Sequence, residues 1–184
     1  FGRALAKGQL DELDEGGQHE AFSLLQKRLM EAGYEPYEVS SFALATDYQS
    51  RHNRKYWAHH PYLGLGPSAH SFWGVRRWWN EPDLNVYLTL VQAGRRPVAG
   101  EEELSRSDLA LEHLMLGLRT ADGVDLVEFR RSFGVDLLDL NRDRIWRLQK
   151  EGRVRLVDDR LWPTPEGLAV ADGIAAALDL GTIS

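Results

Sequence analysis

The fold class is indicated best by one stretch of the sequence: Val154-Arg155-Leu156-Val157-Asp158-Asp159-Arg160-Leu161-Trp162. Two short runs of β-forming residues flank a polar triplet, a pattern that predicts an antiparallel hairpin with a tight turn. Gly152 closes a helical pattern before the hairpin, and Thr164 followed by Pro165 predicts the start of a last helix over residues 165–180. The stretch therefore predicts a hairpin enclosed between two helices.

Three segments upstream of the hairpin carry apolar residues at helical spacing: 109–118, 126–133 and 137–151. Three helices followed by a two-stranded wing are typical of a winged-helix domain, a fold often used to bind DNA. Residues 101–184, however, hold 11 Lys and Arg against 17 Asp and Glu, and a net acidic surface repels phosphate. We therefore predict a structural cap or a protein-docking module at 101–184 and no nucleic-acid partner.

The first half of the chain alternates helical and β patterns, which is typical of the α/β class. Two helices are predicted at 18–32 and 83–93, each stopped by a glycine. Strands or strand ends are predicted at 37–42, 62–66 and 71–79, and the Pro-containing segment 95–100 is interpreted as a linker. A domain boundary near residue 100 fits both this linker and the change in charge.

The composition is that of an ordinary globular chain: 184 residues, 43% hydrophobic and 27% charged. Cysteine is absent, which excludes disulfides, thiolate zinc sites, cysteine nucleophiles and a cysteine-held iron–sulfur cluster within these residues. No uncharged apolar run reaches the roughly 18 residues of a membrane helix, and the start lacks an apolar signal core. We expect a soluble, cytoplasmic protein without a membrane span.

One window of the sequence is rich in groups that bind ligands. Residues 48–80 contain no acidic residue but five cations, which favours a small anionic ligand. Residues 34–87 hold all six tyrosines, four of the six tryptophans and four of the six histidines. A packed aromatic core explains any one of these rings, whereas their clustering favours a pocket.

Five ordered motifs carry a resemblance to a known family: YEVSSFA at 37–43, HNRKYW at 52–57, YLGLGPSAHS at 62–71, LMLGLR at 114–119 and TPEGL at 164–168. The series resembles the oxygen-independent coproporphyrinogen III oxidase-like radical-SAM family, and within it the heme chaperone branch. Ser41 departs from the family pattern, which usually has asparagine at that position.

The resemblance implies an α/β (α+β) fold in two parts. Residues 1–98 are expected to be the closing part of an incomplete TIM-like radical-SAM (β/α) barrel, and residues 101–184 a HemN-type helical, winged-helix-like C-terminal domain. The family's SAM site and 4Fe-4S cluster lie upstream, in the full-length parent only. This cysteine-free chain is therefore expected to be inactive as an enzyme by itself.

The resemblance also implies a heme site in the HNxxYW motif: His52, Asn53, Tyr56 and Trp57, with Arg51 and Arg54 beside them. His52 is a candidate axial ligand to the heme iron, the aromatic rings suit the macrocycle, and the arginines, with Arg76 and Arg77, suit its propionates. The alternatives are a loop histidine bonded to backbone at His52 and a turn residue at Asn53.

Gly64, Gly66 and His70 are candidate cofactor-binding residues, because in the family context they lie at a strand end where backbone approaches SAM or porphyrin. The alternatives are a tight strand end for the glycines and a core or supporting position for His70. His59 and His60 are secondary ligand candidates, although two histidines before a proline are most simply a solvated turn.

The function predicted from these residues is heme binding, with delivery of heme to apo-hemoproteins as the role of the whole protein. An oxidase that decarboxylates coproporphyrinogen III is the alternative, and a non-catalytic docking module is a third. Expected partners are heme or porphyrin, apo-hemoproteins and the remaining barrel segment of the parent. The sequence has no HExxH metal motif, no GxSxG nucleophile elbow and no well-placed pair of carboxylates.

Overall fold

The computed structural model describes residue 8 and residues 13–183. In chain order the elements are α1 (Glu15–Glu31), β1 (Glu35–Glu38), β2 (Ser41–Ala43), a 3-10 turn (Thr46–Tyr48), α2 (Arg51–Trp57), β3 (His70–Trp73), β4 (Arg76–Asn80), α3 (Leu84–Gln92), β5 (Val98–Glu103), α4 (Arg106–Arg119), β6 (Val124–Asp125), α5 (Leu126–Phe133), α6 (Leu137–Lys150), β7 (Val154–Val157), β8 (Arg160–Pro163), α7 (Pro165–Leu168) and α8 (Ala171–Ala177). Among the described residues, no helix is both long enough and apolar enough to cross a lipid bilayer.

The strands form three small sheets, in the orders β1-β2, β3-β4-β5 and β6-β8-β7. Every pairing between the described strands is antiparallel, with Phe72 opposite Arg77 and Leu156 opposite Leu161 as examples of the register. The fold is therefore mixed α and β, as predicted. The described strands do not show the parallel pairing expected for part of a (β/α) barrel.

The segment 37–42, predicted as one strand, is a hairpin. The carboxylate of Glu38 accepts hydrogen bonds from the backbone N–H of Ser40 and the hydroxyl of Ser41, both at 3.0 Å. These bonds fold the chain back between β1 and β2, so the prediction of a single strand was wrong. Ser41 supplies one of them.

The segment 95–100, predicted as a linker, leads into a strand. β5 begins at Val98 and pairs with β4, so that Trp79 lies opposite Gly100. A Cβ at Gly100 would lie 2.5 Å from the Trp79 ring, so glycine is what allows the indole to cover this strand. The predicted boundary at 98–101 lies within β5, and the division of the chain into two domains stays a prediction.

The largest core lies in the second half of the described chain, between α4, α5, α6, α8 and the β7-β8 hairpin. Its most deeply buried large side chains include Leu114, Phe129, Leu137, Ile145 and Leu161. Fully burying side chains of this kind contributes roughly 1.5–3 kcal/mol each. This core anchors α4, which also contacts α2 from the first half of the chain.

The predicted helices at 126–133 and 137–151 are confirmed as α5 and α6, and the hairpin as β7-β8. Its turn residues Asp158 and Asp159 have φ of 48° and 56°, the left-handed backbone of a two-residue hairpin turn. A third strand, β6, joins the sheet, so the wing is not two-stranded. The single helix predicted at 165–180 is wrong: Val170 has non-helical backbone (φ −128°), and the chain forms α7 and α8 instead.

The hairpin of the first half is joined to the end of α4 by backbone hydrogen bonds. Val39 N–H donates to the carbonyl of Arg119 at 3.1 Å, and Ala121 N–H donates to that of Tyr37 at 3.1 Å. Helix α2 also packs against α4. As a result, α2, β3 and β4 are gathered along one side of α4, and the site described next lies between them.

Candidate functional site

The HNxxYW motif forms helix α2, which begins after Ser50. The Ser50 hydroxyl accepts a hydrogen bond from the backbone N–H of Asn53 at 3.2 Å, a standard N-cap. His52 and Asn53 are therefore helical residues, and the alternatives of a loop histidine and a turn asparagine were wrong. Helical spacing of four residues places His52 beside Tyr56 and Asn53 beside Trp57.

A chain of aromatic contacts leads from His52 into the molecule. The imidazole of His52 meets the ring of Tyr56 edge-on at 4.9 Å between centroids, and Tyr56 meets Tyr62 edge-on at 4.4 Å. Tyr62 and Phe72 exchange two backbone hydrogen bonds of 2.9 Å, which fix the inner end of this series of aromatic contacts. The structure therefore links the exposed motif to a buried aromatic residue.

The outer face of α2 is open to solvent. Arg51, His52 and Asn53 are exposed, whereas Tyr56 and Trp57 are half-buried. The His52 imidazole makes no hydrogen bond with another described residue, so its nitrogens are available to a ligand. An axial ligand to heme iron needs one ring nitrogen without another partner, a condition that His52 meets within the described chain.

Most of the arginines expected to pair with propionates already have carboxylate partners. Arg54 lies 2.9 Å from Asp122 and also bonds the Gln49 amide, and Arg76 lies 2.8 Å from Glu101. Arg77 is held by two carboxylates. Arg51, in contrast, makes no ion pair with another residue of the described chain. Among the predicted arginines, it is therefore the one best placed to meet an incoming anion.

A cavity of about 440 Å³ lies between α2, β3, β4 and α4. Four of its lining residues come from α4 and follow the spacing i, i+3, i+4, i+7: Glu112, Met115, Leu116 and Arg119. The opposite face of α4 is buried in the core: Ala110, Leu114 and Leu118. The remaining lining residues are Tyr56, His59, Tyr62, Phe72, Arg77 and Asp172. One helix thus anchors the core with one face and forms a cavity wall with the other.

His59 reaches this cavity because of the way α2 ends. His59 has φ of 53°, its N–H donates to the carbonyl of Tyr56 at 3.0 Å, and His60 N–H donates to that of Lys55 at 2.9 Å. These two bonds form a Schellman motif with His59 at the left-handed position. The prediction of a solvated turn was therefore wrong for His59, while His60 is exposed.

The environment of His59 favours its neutral form. Its Nε2 lies 3.5 Å from a carboxylate oxygen of Glu112. Burial lowers the pKa of His59 below its usual 6.5 and outweighs the opposing effect of Glu112. A neutral imidazole keeps this part of the cavity wall uncharged near pH 7.

Arg119 closes the other end of the cavity. Its guanidinium lies 3.2 Å from the carboxylate of Glu38 and 2.9 Å from that of Asp172. The Glu38 residue is 4% exposed, so its pairing is largely shielded from water. The YEVSSFA and LMLGLR motifs therefore meet at this ion pair.

Trp57 faces a different cavity, of about 350 Å³, on the other side of α2. This second cavity has acidic and basic groups around it, including Arg54, Asp122, Asp125 and Arg160. Trp57 packs against Tyr37 there, with 5.8 Å between ring centroids. The structure thus does not bring Trp57 and Tyr56 to one cavity.

Gly64, Gly66 and His70 lie apart from both of these cavities. A Cβ at Gly64 would lie 2.0 Å from the carbonyl oxygen of His70, and Gly66 has φ of 105°, so each glycine is needed by the loop itself. The amide of Asn80 donates to the Gly66 carbonyl at 2.9 Å. His70 is exposed and stacks on Trp79. Cofactor contact by these residues stays a prediction.

Several residues of the site were not predicted from the sequence: Glu38, Tyr62, Phe72, Glu112 and Arg119. Glu112 and Arg119 carried a usable signal, because they flank two apolar residues at the helical spacing that marks a single face. Tyr62 opens the YLGLGPSAHS motif, which marked its position but not its role. Phe72 carried no signal, since it meets the others only through tertiary packing.

The sequence of the second half matches a known family model. Residues 104–170, from the residue before the α4 cap to the break before α8, match the HemN C-terminal domain. About a third of the chain is thus similar in sequence to that domain. The cavity face of α4 lies entirely within it.

The similarity to known proteins extends beyond the HemN C-terminal domain. The chain is 31% identical over 176 residues to the heme chaperone HemW of Mycobacterium tuberculosis (strain CDC 1551 / Oshkosh), covering 96% of this chain and 43% of that relative. It is 25% identical over 177 residues to the heme chaperone HemW of Bacillus subtilis (strain 168), covering 96% and 46%. The chain spans less than half the length of these relatives and matches their C-terminal part.

A eukaryotic relative and a solved structure agree with this assignment. The mitochondrial radical S-adenosyl methionine domain-containing protein 1 of Danio rerio is 34% identical over 160 residues, covering 79% of this chain and 35% of that protein. The structure of the coproporphyrinogen III oxidase HemN of Escherichia coli, a radical SAM enzyme, superposes with a TM-score of 0.60 over 89% of this chain and 41% of that one. At 16% identity, this likeness shows the fold.

The residues of this chain do not fit the iron–sulfur cluster of radical SAM enzymes. The sequence contains no cysteine, and no group of three or more His, Asp or Glu side chains in the described part of the chain is arranged to hold a metal ion. No radical step is therefore assigned to these residues. A heme needs only one or two axial ligands, a requirement that the exposed His52 can meet.

Proposed function

We propose that this chain is the heme-binding C-terminal part of a heme chaperone. The observation that carries the proposal is the exposed face of α2, where the imidazole of His52, with no hydrogen bond to another described residue, contacts Tyr56, a lining residue of the 440 Å³ cavity. His52 supplies the axial ligand, Asn53 lies beside it, and Arg51 meets a propionate. The two relatives named as heme chaperones support the proposal.

The wider role follows from the same relatives. The whole protein binds heme through this part and delivers it to apo-hemoproteins, while SAM and the 4Fe-4S cluster belong to the part of the parent outside this chain. In this proposal residues 1–98 close a TIM-like barrel whose parallel strand pairs involve strands of the parent outside this chain, and residues 101–184 form a winged-helix-like domain. A cytoplasmic location is part of the proposal.

Hemin titration followed by Soret absorbance tests the proposal. We expect saturable binding by the chain, abolished by His52→Ala and retained by His19→Ala. His19 is the matched control, because it is an exposed histidine on α1, far along the chain from α2. Circular dichroism first checks that both variants fold like the wild-type chain.

The outcomes separate the two main functions. Saturable binding that depends on His52 supports the chaperone. Equal binding by wild type and His52→Ala overturns the assignment of the axial ligand. No saturable binding of hemin overturns the proposal, and decarboxylation of coproporphyrinogen III by the full-length parent is then the activity to measure.

A further inference from the structure

The 440 Å³ cavity beside α2 has an apolar wall made largely of rings. Tyr56, Tyr62 and Phe72 form its aromatic side, and Met115 and Leu116 of α4 form the side opposite. Phe72 is buried, and the others are half-buried or partly exposed at the mouth. Cavities of about 300–1,000 Å³ with such walls are typical of small-molecule sites, so this one has room for part of a porphyrin.

The two arginines at the cavity are already neutralised. Arg77 lies 2.6 Å from Glu112 and 3.1 Å from Glu102. Arg119 is held in the same way by the carboxylates of Glu38 and Asp172. A ligand carboxylate entering the cavity would add a negative charge beside these pairs or break one of them, and both cost free energy. The cavity therefore disfavours a propionate.

The surface outside the cavity has the opposite character. Residues 48–80 include no acidic residue, and Arg51 on the outer face of α2 is exposed without an ion pair to another described residue. His52 lies between these two environments, since its ring contacts Tyr56, which lines the cavity. A ligand held at His52 thus meets an apolar, neutralised cavity on one side and the exposed guanidinium of Arg51, which has no ion pair within the described chain, on the other.

This asymmetry matches a heme, which carries vinyl groups at one edge and both propionates at the opposite edge. Resting on the heme-binding proposal above, we propose that the cavity takes the apolar, vinyl-bearing edge of the heme and leaves both propionates outside, on the Arg51 side. The site then selects a heme with one apolar edge against a porphyrin that carries a propionate on every pyrrole.

Titrations of the chain with three iron porphyrins test this inference. Hemin and mesohemin, in which ethyl groups replace the vinyls, are expected to bind with similar affinity because both have an apolar edge. Coprohemin, with four propionates, is expected to bind about tenfold or more weakly, since one carboxylate must enter the cavity. Equal affinity for coprohemin and hemin overturns the inference.

A matched pair of variants on α4 tests the location. Leu116→Glu places a charge in the cavity and is expected to weaken hemin binding about tenfold or more. Leu111→Glu makes the same change on the same helix at an exposed position outside the cavity and is expected to bind like wild type. Met115→Glu, at the partly exposed cavity mouth, replaces Leu116→Glu if that variant is unfolded by circular dichroism.

These results distinguish the inference from the function on which it rests. Binding that requires His52 but is insensitive to Leu116→Glu and Met115→Glu overturns the cavity assignment and leaves heme binding in place. No saturable binding of any of the three iron porphyrins overturns both.

Discussion

The buried carboxylate of Glu38 accepts a hydrogen bond of 3.2 Å from the guanidinium of Arg119, 81 positions further along the chain. This contact ties the β1-β2 hairpin to the last turn of α4. The same carboxylate also accepts hydrogen bonds from Ser40 and Ser41, so it shapes the hairpin as well as anchoring it. One side chain therefore fixes both the local turn and its position against the cavity.

Glu38→Gln is expected to lower the free energy of unfolding by about 1.5–3 kcal/mol, because it weakens the charge-assisted hydrogen bonds that this buried carboxylate accepts from Arg119 and the two serines. Urea denaturation at pH 7.5 measures the change. Asp172→Asn is the control, since it removes the other, largely exposed partner of Arg119 and is expected to cost less than about 1 kcal/mol. Equal effects of the two variants would show that burial of Glu38 does not set the strength of this contact.

Acidification is expected to destabilise the fold through His59. Burial lowers the pKa of His59 in the folded state, so below the unfolded value of 6.5 the unfolded chain binds more protons than the folded one. Stability therefore rises with pH through this window and falls as the pH drops below it. Burial also lowers the pKa of His113, which acts in the same direction.

The variant His59→Asn tests this pH dependence. Asparagine tolerates the left-handed backbone at this position but does not titrate. Urea midpoints at pH 7.5 and pH 5.5 are expected to differ less in His59→Asn than in wild type. If the stability of His59→Asn depends on pH as strongly as that of wild type, groups other than His59 cause the loss of stability at low pH.

Gly64→Ala is expected to destabilise the protein by about 2–3 kcal/mol, because the new methyl group would overlap the carbonyl oxygen of His70. Gly173→Ala, in α8, is the control: its added Cβ meets no atom within 4 Å, and alanine favours the helix by up to about 1 kcal/mol. Thermal unfolding of both variants checks the contrast. An unchanged melting temperature in Gly64→Ala would mean that the loop makes room for the methyl group without loss of stability.

Ser105→Ala is expected to cost about 1 kcal/mol of stability, since it removes the capping box at the start of α4. The Ser105 hydroxyl accepts from the N–H of Asp108 at 3.1 Å, and the Asp108 carboxylate accepts from the N–H of Ser105 at 2.9 Å. Chemical denaturation of Ser105→Ala and Ser105→Thr measures the loss, with Thr expected to retain most of the cap. Equal loss in both variants would contradict a role for the hydroxyl.

Local signals account for the elements that the sequence predicted well. Helix α5 has its predicted bounds because Asp125 caps its start and Gly134 ends it in the left-handed conformation. The β7-β8 hairpin was predicted for a similar reason, since its turn lies between two short apolar runs. In these cases the determining residues are neighbours in the sequence.

The elements that were missed and most of the site depend on distant contacts. β5 was missed because its strand conformation comes from pairing with β4. Its own sequence contains Gly100 and directly follows Pro97, which is typical of a loop. α2 has no buried residue, so it lacks the apolar periodicity that reveals a helix. The family motifs located His52 and Tyr56, but the cavity beside them is built by packing that no local pattern records.

Tyr56 and Trp57 are consecutive residues of α2 that line two different cavities, so this seven-residue helix is the partition between two chambers. Neighbouring helical residues point about 100° apart, so one turn of helix presents an aromatic ring to each chamber. Any displacement of α2 therefore changes the walls of both chambers at once.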